Sequence, residues 1–178
     1  MLGIYLGAYK AYHEYYNIIY QDIDGKRDIP GDMLKIDLKP YDYIIATPPC
    51  NYWSRANYRR ETSEYAQKTK HLLPNIIDIL LKINKPFIVE NVRNTSLMKK
   101  HGLYRNDLYI YHIGRHTYFS NIYIDTNDIK QINDLNNGPL KNGKRPGHTT
   151  TWTPRSKRQG GENVHNVIER FLETIHNI

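Results

Sequence analysis

Apolar residues in the first 125 positions fall into short runs separated by helical stretches. Asn17 to Tyr20 is one run, ending at Asp22 and Asp24. Tyr41 to Thr47 is a second, ending at Pro48-Pro49-Cys50, and Pro86 to Val89 is a third, ending at Glu90-Asn91. Each is brief, β-branched or aromatic, and followed by polar residues, the pattern of buried parallel strands. Between the second and third, Glu61 to Ile83 reads as helix, with Leu72, Leu73, Ile76, Ile77, Leu80 and Leu81 at helical spacing. Pro74 inside it predicts a kink or the start of a new helix. Leu108 to His112 and Thr117 to Ile124 read as two further strands. Asp125 to Arg158 is polar and rich in turn residues. Val164, Val167, Ile168, Phe171, Leu172 and Ile175 then make one apolar helical face, with Glu162 or Asn163 near its start.

Strand, helix, strand alternation predicts an α/β domain around a parallel sheet with right-handed crossovers. Ligands bind such sheets beyond the carboxyl ends of the strands. Cys50 and Glu90 are both predicted to lie there. The chain divides into a core over residues 1–124, a short basic loop region over 125–160, and a closing helix over 161–178 that packs back on the core.

The formal charge of +7 favours a polyanionic partner, nucleic acid before an anionic membrane surface. Aromatics make up 12% of the chain and 16 of them are tyrosines, which suit half-buried positions on a polar or nucleic-acid surface. One cysteine excludes an internal disulfide and a multi-cysteine metal site, so no metal is expected. It also fits a reduced, cytoplasmic setting. No apolar run is long enough to span a membrane, and no secretory signal is legible.

A lone cysteine is most often a small buried hydrophobe. Here it follows two prolines that stiffen the turn, which lowers the entropic cost of positioning a nucleophile. Glu90 alone is either a general acid or an ion-pair partner. Ends of adjacent parallel strands lie about 5 Å apart, so the thiol and the carboxyl can reach one small ring.

These two turns together resemble the DNA cytosine-5 methyltransferases, above all the short single-domain methylases common in phages. Pro49-Cys50 matches the family's nucleophile motif, and Glu90-Asn91-Val92 its acid motif. Gly114-Arg115-His116-Thr117-Tyr118-Phe119 is similar to its arginine motif, although Thr117 stands where a second arginine is usual. Gly31-Asp32-Met33-Leu34 resembles the segment that contacts the cofactor's adenine, and Asp22 or Asp24 the acidic strand end that binds its ribose. Gly161 to Val164 is faintly similar to the family's last motif.

The resemblance implies a Rossmann-like methyltransferase fold, a mostly parallel sheet with helices on both faces, here with its first strand lacking before Gly3 and Gly7. It implies methyl transfer from S-adenosylmethionine to C5 of a flipped cytosine in double-stranded DNA, in a phage or bacterial cell. Cys50 would add covalently to the ring, Glu90 would hold it at N3 and the amine, and Arg115 would bind its carbonyl. Gly3, Gly7, Asp22, Asp24, Asp32 and Pro48 would serve the cofactor. Asn51, Ser54, Arg55, Asn91, Thr117, Lys144, Arg145 and Arg155 would contact DNA, with Asn91 also bracing its turn and Trp152 stacking on a base or anchoring the core. Arg55, Arg59 and Arg60 would make the loop after Cys50 basic as it closes over DNA. The absent strand points to a homodimer or partner subunit that completes the cofactor site. The alternative is a catalytically impaired descendant that binds DNA or a protein.

Overall fold

The computed structural model describes residues 19–23, 28–129 and 166–177. Strand β1 (Gln21–Asp22) pairs in parallel with β2 (Ile29–Pro30). Strand β3 (Ile44–Ala46) leads through helices α1 (Glu64–Thr69) and α2 (Leu72–Ile83) to β4 (Phe87–Val92). The two strands pair in parallel, Ile44 with Phe87 and Ala46 with Val89. Helix α3 (Thr95–Lys100) and strands β5 (Tyr109–Ile113) and β6 (His116–Ser120) follow. A last helix, α4, covers 166–176.

The predicted helix from Glu61 to Ile83 is two helices. Ser63 caps the first, its hydroxyl accepting from the Ala66 N–H. Pro74 falls in the first turn of α2, where a missing N–H breaks no helical bond. The helix stops at Asn84, whose left-handed backbone (φ 57°) turns its N–H onto the Leu80 carbonyl.

The four-stranded sheet has the order β3-β4-β6-β5. It is mixed, which corrects the expectation of a mostly parallel sheet: one pairing is parallel and two are antiparallel. The cause is the β5–β6 hairpin. Ile113 faces His116 directly, leaving Gly114-Arg115 as a two-residue turn with Gly114 at φ 57°. Such a turn can only send the chain back antiparallel. Strands β3, β4 and β5 still share one direction and β6 alone is reversed.

Alternate residues of the sheet feed two cores. Ile44, Ala46, Phe87, Val89 and Phe119 are buried with Ala66, Leu73, Ile76, Ile77, Leu80 and Met98 of the three middle helices. Ile45, Ile88 and Tyr118 face the other way, against Val167, Ile168, Phe171 and Leu172 of α4. Ile124 and Ile129 join this second core, so packing continues past residue 124. Burying each such aliphatic or aromatic side chain contributes about 1.5–3 kcal/mol before entropy is counted. With helices on both faces, the sheet's edges and strand ends are what remain for a site. Among the described residues, no helix is long and apolar enough to cross a membrane.

Candidate active site

The turn after β3 is held by side chains from elsewhere. Asn91, buried within β4, donates from Nδ2 to the Pro48 carbonyl at 2.9 Å. Its Oδ1 accepts from the Val92 N–H at 3.0 Å. The Ser54 N–H donates to the Cys50 carbonyl at 2.8 Å, closing a turn that leaves Cys50 exposed. Tyr52 and Trp53 then dive into the core, their rings edge to face at 5.3 Å. Asn94 donates to the Trp53 carbonyl at 2.9 Å. The Tyr52 hydroxyl donates to Glu61 Oε1 at 2.9 Å and also meets His101 Nε2 at 3.2 Å.

Arg60, read from sequence as part of a basic DNA-facing loop, instead donates to the carbonyls of Tyr52 and Ser54 at 3.0 and 2.8 Å. Arg55 is exposed beside it, as is Asn51. Ser54 is half-buried, its hydroxyl accepting from the Ala56 N–H.

Glu90 lies inside β4 rather than beyond it. Strand β3 supports β4 only as far as Val89, but β6 carries the ladder on to Val92 opposite His116. Glu90 is mostly buried, and its Oε1 lies 2.5 Å from His116 Nδ1. The Cys50 thiol is pushed above the ordinary thiol range, first by desolvation and then by the negative charge of Glu90. The side chain is exposed on one side, yet enough protein surrounds it to disfavour the thiolate.

Arg115 is exposed in the hairpin turn, at the sheet end where β4 finishes. Its carbonyl accepts from the Arg93 N–H at 2.6 Å. Two expected DNA contacts are corrected by burial. Thr117 is fully buried, facing Asn91 across the ladder, and its hydroxyl meets His112 Nδ1 at 3.1 Å. Asn91 is just as inaccessible and is spent on the Pro48 turn. The bracing role stands; the DNA contact does not.

Asp22 ends β1 and Asp32 follows β2 by two residues, so parallel pairing brings both to one side. Asp22 Oδ1 accepts from the Ile23 N–H at 2.7 Å. Asp32 Oδ1 accepts from the Leu34 N–H at 3.0 Å, and its other oxygen lies 3.8 Å from Lys35 Nζ. Gly31 between them adopts φ 119°, a conformation that side chains rarely tolerate. Gly3, Gly7, Asp24, Lys144, Arg145, Trp152, Arg155 and the segment from Gly161 to Val164 lie outside the described residues. So does the stretch in which the first strand was sought. Among the described residues, no group of three or more His, Cys, Asp or Glu is placed to hold a metal ion.

A family model described as C-5 cytosine-specific DNA methylase matches residues 5–113, more than half of the chain. The chain belongs to the C-5 cytosine-specific DNA methylases. The matched span holds Cys50 and Glu90 and stops short of Arg115. No curated protein and no solved structure matches this methylase. Sequence reasoning about the site missed His116 as the partner of Glu90, and the cluster of Tyr52, Glu61 and His101 at the Cys50 turn. Strand alternation carried a signal for the first, since His116 and Thr117 must point to opposite faces.

Proposed function

We propose that this methylase transfers a methyl group to C5 of a flipped cytosine in double-stranded DNA, with Cys50 as nucleophile and Glu90 as the acid that holds the base. The observation that carries this reading is geometric: Asn91, the residue after Glu90 in β4, donates to the Pro48 carbonyl, two residues before the exposed Cys50. Cytosine C5 is a poor nucleophile. The Cys50 thiol gives up its proton as its sulfur adds to C6, and the C5=C6 pair shifts to C5. N3 is held by the proton of a Glu90 carboxyl protonated in the complex. Once C5 carries the methyl group, loss of the C5 proton re-forms C5=C6 and expels the Cys50 thiolate. Arg115 supplies a cation at the base carbonyl. The base must leave the stack to be reached.

S-adenosylmethionine, when bound, supplies the electrophilic methyl group. Two carboxylates at the carboxyl ends of parallel strands suit its ribose hydroxyls and adenine amine, so the donor set at Asp22 and Asp32 fits. Gly3, Gly7, Asp24 and Pro48 would complete that site, together with a second copy or a partner subunit. Asn51, Ser54 and Arg55 flank the nucleophile for DNA contact, and Lys144, Arg145 and Arg155 would meet phosphates. In this reading residues 1–124 form the catalytic core and 125–160 the DNA-reading loop, in a cytoplasmic protein.

The second reading is a catalytically impaired methylase that binds DNA or a protein, and burial that pushes the Cys50 thiol up suits it. Purified chain, random-sequence duplex DNA and methyl-labelled S-adenosylmethionine separate the two. The first reading expects labelled 5-methyldeoxycytidine in the digest, reduced by about 10³-fold or more in Cys50→Ser. DNA binding without label supports the second, and full transfer by Cys50→Ser removes Cys50 as nucleophile.

A further inference from the structure

We infer that His116 is a positioning residue that fixes Glu90 for the base, an inference that rests on the reading of Glu90 given above. His116 faces Val92 and Tyr118 faces Glu90 across the β4–β6 ladder. Glu90 and His116 are thus diagonal neighbours on one face of an antiparallel pair, within reach of long side chains. Their atoms Oε1 and Nδ1 stand 2.5 Å apart, with the side chains only 15% and 20% exposed. With Glu90 Oε1 as the acceptor, whether or not Oε2 carries a proton, Nδ1 carries the hydrogen and donates it. The His116 ring lies 6.3 Å from that of Tyr118, tilted by 34°, which limits its swing.

The consequence follows from torsional freedom. The terminal torsion of a glutamate is broad, so an unheld carboxyl presents either oxygen in many orientations. Tying Oε1 to His116 leaves Oε2 as the oxygen offered to the base. Thr117 cannot do this, because it points to the opposite face and is joined to His112. The residue after Arg115, not the second one after it, reaches Glu90.

The pairing is tested first without DNA. In the full chain with isotope-labelled histidine, the Nδ1–H resonance of His116 should shift when Glu90 is changed to Ala; an unmoved resonance overturns the inference. Function is then read as adduct formation with random-sequence duplexes containing 5-fluorocytosine, in the presence of S-adenosylmethionine. His116→Phe should lower the rate constant at saturating DNA by about 10²-fold, with half-saturation changed by less than about 3-fold. His116→Asn places an amide nitrogen near the Nδ1 position and should recover most of the rate, whereas His116→Gln reaches past it and should not. If the Phe variant does not fold, the Asn and Gln pair carries the test. Equal rates in Asn and Gln variants, with an active wild type, overturn the positioning role alone. A wild-type chain that forms no adduct overturns the reading of Glu90, and this inference with it.

Discussion

Two parts of this methylase are braced in different ways. Around Cys50, distant segments converge: Asn91 of β4 holds the Pro48 carbonyl, Asn94 holds that of Trp53, and His101 meets the Tyr52 hydroxyl. Around Asp22 and Asp32, the carboxylates bond within their own turns, to the N–H groups of Ile23 and Leu34, and the strands pair over two residues each. The first arrangement fixes the Cys50 turn to the sheet as part of folding. The second leaves its carboxylates dependent on local chain geometry. Covalent chemistry needs sub-ångström placement, and reversible binding tolerates more.

That contrast is broken most severely at Asn91. Asn91→Leu removes the donor to Pro48 and strands a buried carbonyl, at a cost of about 1–3 kcal/mol. Denaturant midpoints should fall accordingly, and adduct formation at Cys50 should be lost even where the chain remains folded. Unchanged stability would mean that the turn stands without its brace. Asp32→Ala sharpens the other side. Its carboxylate is partly exposed and caps only its own turn, so stability should change by less than about 1 kcal/mol. Calorimetric affinity for S-adenosylmethionine should fall, while alkylation of Cys50 proceeds at the wild-type rate.

The legible parts of this molecule were those written in local pattern. The stripe from Leu72 to Leu80 marked a helix, and Pro74 marked the start of a new one. The turn at Cys50 announced itself through two prolines. What escaped depended on register. Glu90 reads as lying beyond its strand because the apolar run stops at Val89, where the pairing with β3 also stops, and only the partner β6 extends the ladder. Thr117 was assigned to DNA because motif spacing does not say which way a strand residue points. Arg60 reads as part of a basic loop closing over DNA because charge alone does not reveal its acceptors, the Tyr52 and Ser54 carbonyls. The residues outside the description, Lys144 and Arg145 among them, rest on charge and resemblance alone.

The central claim is that a thiol and a carboxylate from separate segments face one hollow, and it has a direct electrostatic signature. Alkylation of Cys50 is followed against pH in the wild type and in Glu90→Gln, without DNA or cofactor. Only the thiolate reacts, and the Glu90 charge disfavours it, so removing that charge must lower the thiol pKa. The account predicts a wild-type inflection above the ordinary thiol range and a lower one in the variant, with faster reaction at any pH below it. Superimposable profiles would place the two groups apart and contradict a shared site.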